Sequence, residues 1–277
     1  MPILLDTGSS GPNGWSSISR FLRCPELFFW TERVEEEEKP LPLEAPLVRG
    51  SIGHAGLAHL YERARLTQRG EGFGHLLSPT EAMAAVAESF GVLGESQLPV
   101  ALPVVEAYAR RHALERLEIV GVERLATTEF GGHPYTARID LEYRDNGKVF
   151  FLDHKFVSRI AGKIHRRYTL SGQILGLWHL GAREYGSSFG GVVLNLLGVK
   201  PIDFSRSTPE PAPWMLTRFP EIVARAHEGI ARERAAMREP GYVVQATPSE
   251  YTCWPYNRPC PAFESCRWGW PKGGAVP

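Results

Sequence analysis

Residues Tyr135 to Phe156 read YTARIDLEYRDNGKVFFLDHKF. Two strand-like runs flank Asn146-Gly147, the strongest two-residue hairpin signal, because both central positions of a type I′ turn need positive φ. With those two residues as the loop, Asp145 pairs with Lys148, and the register carries Asp140 to the position opposite Asp153. Directly opposed side chains have Cβ atoms about 4.5–5.5 Å apart, and two carboxylates there repel. A divalent cation between them turns that penalty into a binding site. Lys155, two residues beyond Asp153, projects from the same face and lies opposite Arg138. The alternative is a solvated sheet face of mixed charge. Against it, Phe150, Phe151 and Leu152 read as a buried strand running into Asp153, where a free carboxylate is costly.

Working outward, Glu118 to Phe130, Pro134 to Tyr143 and Lys148 to Val157 read as strands. Tyr168 to Ala182 returns to helical spacing, Gly191 to Val199 reads as a buried strand, and Pro220 to Met237 as a helix. Upstream the texture is helical. Ser17 to Trp30 is an amphipathic helix interrupted or followed by the Cys24-Pro25 corner, and Lys39 to Pro46 is a linker. Gly53 to Leu66, Ser78-Pro79 to Phe90 and Pro103 to Leu117 are further helices. After Pro240 the chain is rich in Pro, Trp and Cys and shows no periodicity. This order predicts one α/β domain across 1–277, a mixed central sheet flanked by helices. Its helical part is about 50–118, the sheet core about 119–200, and the C-terminal helix and Cys-bearing tail about 213–270.

The 277 residues are 43% hydrophobic and 22% charged, which is ordinary globular composition and speaks against disorder. No run of 18 apolar residues occurs, so no ordinary membrane-spanning helix is expected. Met1 to Gly14 lack a basic region followed by an apolar core, and the chain reads as cytoplasmic. Formal charge is zero, so distribution matters more than the sum. Glu35 to Glu38 form an acidic run, read as a solvated face. From Lys155 to Arg183 there is no acidic residue, while Lys155, Arg159, Lys163, Arg166, Arg167 and Arg183 are basic; such a patch attracts phosphate even on a neutral protein.

The four cysteines are Cys24, Cys253, Cys260 and Cys266. A cytoplasmic setting disfavours disulfides. Zinc modules usually carry close Cys-x-x-Cys pairs, which this chain lacks. A four-thiolate iron–sulfur cluster tolerates varied spacing, and spacing alone does not separate it from isolated buried thiols.

Together these residues resemble the PD-(D/E)XK nuclease superfamily, specifically its RecB-like exonuclease branch with an iron–sulfur cluster. Ser17 to Phe28 resembles that branch's opening helix ending in Cys-Pro. Gly50-Ser-Ile-Gly-His54 resembles the helical motif that supplies a metal-binding histidine. Asp140 and Asp153-His154-Lys155 resemble the D…(D/E)-x-K core, and Cys253, Cys260 and Cys266 follow Cys24 as cluster ligands. The resemblance implies a restriction-endonuclease-like fold and a metal-dependent DNA nuclease, an exonuclease on single strands or ends. It implies Mn²⁺ or Mg²⁺ at His54, Asp140, Asp153 and His154, the last through its backbone carbonyl because its imidazole points to the opposite face. An imidazole ligand suits Mn²⁺ better than Mg²⁺. Lys155 would orient water and offset charge, and Glu123 matches an acidic position of the family. His59 is the weaker histidine. The cluster, of 4Fe-4S type, would be structural.

Two departures matter. The family often has Gln-x-x-x-Tyr after the core; here Gln173 is present but position 177 is Leu, so only Gln173 carries over, with Tyr168 or Trp178 as stand-in stacking groups. The cysteine spacing also differs from the tighter family pattern, which leaves zinc in play. Gln173, Arg166 and Arg167 are expected to contact DNA phosphates. No G-x-x-x-x-G-K-[ST] loop is present, so ATP-driven unwinding would need a helicase or recombination partner. The competing reading is a non-catalytic iron–sulfur module that binds nucleic acid or such a partner.

Overall fold

The Asn146-Gly147 turn forms with both residues at positive φ, 47° and 76°, and it sets the expected register. In the computed structural model, Asp145 faces Lys148 and the ladder runs back to Leu141 opposite Leu152. The described residues are 2–36, 44–112, 117–162, 164–255, 259–263 and 266. They fall into two compact units, one from 1–10, 44–128 and 136–219, the other from 11–43, 129–135 and 220–277.

All but residues 129–135 of a five-stranded sheet belong to the first unit, in the order β1 (Glu118–Phe130), β2 (His133–Asp145), β3 (Lys148–Val157), β4 (Phe189–Val199), β5 (Ile202–Ser207). β3 and β4 run parallel, while the β2–β3 and β4–β5 pairs are antiparallel. Successive side chains alternate faces, so each face of the sheet has its own cover. Leu141, Leu152, Val193 and Leu197 pack against Ile52, Leu57, Met83, Val104 and Tyr108. These come from α3 (Ala45–Gln68), α4 (Pro79–Ser89) and α5 (Gly91–Arg111). On the opposite face Phe151 meets Tyr185 and Phe189 beneath α7 (Gly172–Tyr185). This is the mixed sheet flanked by helices, the restriction-endonuclease-like α/β arrangement.

Element edges differ from the sequence reading in instructive ways. α4 starts on the expected Ser78-Pro79, with a complete capping box between Ser78 and Glu81. α5 begins twelve residues before Pro103 and carries both Pro99 and Pro103 internally. Each proline forfeits a helix hydrogen bond, and burial of Ala101, Val104, Val105 and Tyr108 offsets the loss. The helix expected over Tyr168–Ala182 is α7, which starts four residues later at Gly172, and a separate short α6 (Ile164–Tyr168) precedes it. β5 has no counterpart in the sequence reading: IDFSRS is short, half polar and at a sheet edge, where neither alternation nor burial marks it.

The second unit contains α1 (Trp15–Arg23) and α2 (Pro25–Glu36), broken at Cys24 as the Cys-Pro corner implied. Cys24 is extended rather than helical, because proline disfavours the α region for the residue before it. α8 (Pro213–Ala236) crosses from one unit's residues into the other's, and α9 (Glu250–Cys253) is a single turn. Most of the expected Lys39–Pro46 linker lies outside the described residues, as do Lys163 and the end of the Glu35–Glu38 run. Among the described residues no helix is long and apolar enough to cross a membrane.

Candidate active site

The regular β2–β3 ladder stops at Leu141–Leu152, and the next residues on each strand are Asp140 and Asp153. There the Asp140 side chain replaces backbone pairing: its Oδ2 accepts the His154 N–H at 2.7 Å. The same oxygen lies 3.5 Å from His54 Nδ1 on α3. Gly53 lets the helix come this close, since a Cβ at that position would sit 2.0 Å from the Phe156 ring of β3. Glu123 of β1 completes the group. One ligand atom each from His54, Glu123 and Asp140 lie within 4.8 Å of one another.

Asp153 is buried, with 2% of its surface exposed. Its Oδ1 accepts from Lys155 Nζ at 2.8 Å and from Gln173 Nε2 of α7 at 2.7 Å. Its Oδ2 is 2.7 Å from the same ammonium but outside hydrogen-bond geometry, and among the described residues it takes no hydrogen bond. A buried acceptor without a donor is rare, and Asp140 and His54 are close enough to act on this carboxyl electrostatically.

The electrostatics describe a site with excess negative charge. Burial, reinforced by Asp140, pushes Glu123 up to about 9. Burial raises Asp153 as well, with Asp140 adding to it and Lys155 opposing. For Lys155 burial pulls downward, but Asp153 and Asp140 outweigh it and the ammonium is raised. Neighbouring carboxylates that hold protons this tightly are what a cation would relieve. The donor set of one imidazole and several carboxylates is of a kind that binds a divalent ion. His54, Glu123 and Asp140 would hold such an ion; Asp153, expected as a ligand, is outside that group of three and is paired with Lys155.

Other expected residues are placed differently. The His154 ring faces the helical side, where its Nδ1 is 2.7 Å from Asn195 Nδ2 and it stacks on Tyr61, so only its backbone turns toward the carboxylates. His59 is fully buried: it accepts the Leu5 N–H at Nε2, and Nδ1 donates to the Leu77 carbonyl, which makes it structural. Gln173 is drawn onto Asp153 rather than outward. Arg166 and Arg167 are exposed on α6, and Tyr168 is close enough to act electrostatically on Lys155. Trp178 donates to the Pro209 carbonyl and packs edge-on against Phe189, a core role. Sequence reasoning missed the network behind His154, in which Asn195 reaches the Tyr108 hydroxyl and Tyr108 meets Tyr61 and Arg206. Its signal was available: a lone Asn in the apolar run GVVLNLLGV needs buried partners.

The sequence profile of the PD-(D/E)XK nuclease superfamily matches residues 15–267. The chain belongs to that superfamily. Nucleases of this superfamily typically use divalent metals, in keeping with the donor set described above. No curated protein matches the chain. Among solved structures, that of SSO0001 shares 14% identity, covering 78% of this chain and 86% of its own, at a TM-score of 0.33. A Eubacterium rectale protein described as a "Putative exonuclease" shares 11% identity, covering 89% of this chain and 97% of its own, at a TM-score of 0.48.

In the second unit, Cys24, Cys253, Cys260 and Cys266 all line one predominantly apolar cavity of about 530 Å³, and none of the four is in a disulfide. Burial pushes the Cys260 thiol up, and Cys24 and Cys253 are close enough to push it further. The four cysteines expected to ligate a cluster thus share one cavity, although among the described residues only His54, Glu123 and Asp140 bring three ligand atoms within 4.8 Å of one another.

Proposed function

We propose that this PD-(D/E)XK protein is a metal-dependent deoxyribonuclease of the RecB-like branch, acting as an exonuclease on single-stranded DNA or DNA ends. On this reading the whole chain, 1–277, works as one nuclease domain in recombination, repair, or viral or CRISPR DNA processing, with a helicase where unwinding is needed. The observation that carries it is the meeting of His54, Glu123 and Asp140 beside Asp153 and Lys155.

A divalent ion held there supplies Lewis acidity toward a phosphoryl oxygen and makes water a stronger acid. Asp140 and Asp153 set the donor geometry. The His154 N–H and the Gln173 amide each fix one carboxylate. Lys155, kept protonated by its carboxylate neighbours, donates to the attacking water and offsets charge developing on the phosphate. Its ammonium and the carboxylates lie in a buried setting where such interactions are strengthened.

The four cysteines hold a 4Fe-4S cluster that ties α2's start to the C-terminal tail within the second unit, a structural role. Purified protein is then brown, and Cys260→Ala bleaches it and lowers Tm. A colourless, zinc-containing protein of equal stability would replace the cluster with zinc.

The test of activity is degradation of end-labelled linear DNA and of circular single-stranded DNA in Mn²⁺ and in Mg²⁺. Loss of linear DNA alone, abolished by Asp140→Asn and faster in Mn²⁺, is the expected result. Cutting of circles would make it an endonuclease. No cleavage by folded, metal-loaded protein would leave a nucleic-acid- or partner-binding module.

A further inference from the structure

Residues 3–10 precede the stretch matched by the superfamily profile, yet they are laid across the first unit in a fixed path. Ile3 pairs with the chain at His75–Leu77: its N–H donates to the His75 carbonyl at 2.7 Å, and its carbonyl accepts from Leu77 N–H at 3.3 Å. Leu5 N–H is held by buried His59. The path then reaches β2, where Ser10 accepts the Arg138 N–H at its hydroxyl and Thr136 donates to its carbonyl.

Between those anchors, Asp6 grips Arg138 twice. Its Oδ2 is 2.9 Å from Nη2, and its carbonyl accepts from Nη1 at 2.8 Å. Arg138 is two residues from Asp140 on the same face of β2. The same Nη1 also donates to the Glu123 carbonyl at 3.3 Å. Glu123 is strained: its φ is +48° in the middle of a strand. A non-glycine residue there is strained and persists only where its surroundings over-determine it.

We infer that the N-terminal strap is part of the nuclease centre, with Asp6 acting through Arg138 as a positioning residue that locks the Glu123 backbone and aims its carboxylate at Asp140. The strap holds the guanidinium, the guanidinium holds the Glu123 carbonyl, and the left-handed backbone turns the side chain into the ligand group. The link to metal rests on the reading of the site proposed above; the link from strap to backbone does not.

Two readouts on the full chain separate the two. The first is hydrogen exchange across β1 near Glu123 in metal-free wild type and Asp6→Asn. Faster exchange confined to that segment is expected, and unchanged exchange overturns the strap. The second is Mn²⁺ binding by electron paramagnetic resonance, without DNA, for wild type, Asp6→Asn, Glu123→Gln and the double variant. Loss of an outer-shell partner typically weakens a metal site about 10–100-fold. Asp6→Asn is expected to weaken Mn²⁺ binding by about tenfold, and to have no further effect once Glu123 is Gln. Additive effects would mean Asp6 acts by another route and overturn the inference. In turnover, the half-saturating Mn²⁺ rises while KM for DNA holds. If wild type binds no Mn²⁺, the metal reading fails, and exchange alone decides whether the strap positions Glu123.

Discussion

Glu123 shows how one residue can hold a fold back and make a site at once. Its carboxyl keeps a proton up to about 9 in the folded protein because burial and Asp140 oppose its charge, whereas in the unfolded chain it ionises near 4.5. Between those values the folded state binds the extra proton, so metal-free stability falls as pH rises. Urea midpoints measured in EDTA from pH 5 to pH 9 should therefore decline, and Glu123→Gln should flatten the decline. A wild-type profile as flat as the variant's would refute this. Mn²⁺ should stabilise more at pH 8 than at pH 6, since it replaces that proton. Residue types at this site were largely legible: Asp140, Asp153 and Lys155 follow from one turn and a period of two. The φ of Glu123 was not, because no local signal announces a strained position that distant groups enforce. Nor was the pull of Asp153 on Gln173, which depends on where α7 docks.

At the level of elements, the β2–β3 hairpin could be read to the residue because Asn146-Gly147 fixes both turn type and register. α3 could be recognised but not docked. Its approach to β3 depends on Gly53 lying against Phe156, a meeting of segments about a hundred residues apart that no local pattern records. This predicts that Gly53→Ala forces the ring or the helix aside, costing about 1–3 kcal/mol as overpacking does. His54, the next residue, moves with it. Urea unfolding should show the loss and Mn²⁺ titration a weaker site; wild-type behaviour in both would contradict the docking. A different network ties β1, β2 and α7 together. Glu142, 1% exposed, accepts from Arg124 at 2.6 Å and from the Tyr185 hydroxyl, while Arg124 also grips Glu184. These ties brace the strands that carry Glu123 and Asp140.

Over the whole molecule, zero formal charge means that attraction for a polyanion must be local. The acid-free stretch from Lys155 to Arg183 places exposed Arg159, Arg166 and Arg167 in the same unit as the carboxylates. Converting Arg166 and Arg167 to Ala should weaken DNA binding for all sequences alike. Each arginine removed from a phosphate should reduce the slope of log affinity against log salt by about one; an unchanged slope would place the DNA elsewhere. Fold class and the order of helical and sheet regions were readable at this scale, since composition and periodicity report them. The division into two compact units was not: the Lys39–Pro46 linker falls on one boundary, but segments that interleave along the chain are sorted by tertiary contacts that no local pattern records. On the reading proposed above, the carboxylate–lysine centre on β2 and β3 performs phosphodiester hydrolysis. That role is tested most directly by single-turnover cleavage of end-labelled linear DNA at saturating Mn²⁺, comparing wild type with Lys155→Ala. Lys155→Ala should cleave about 10²–10³-fold more slowly while still folding and binding Mn²⁺. A folded, Mn²⁺-binding Lys155→Ala protein that cleaves at the wild-type rate would contradict it.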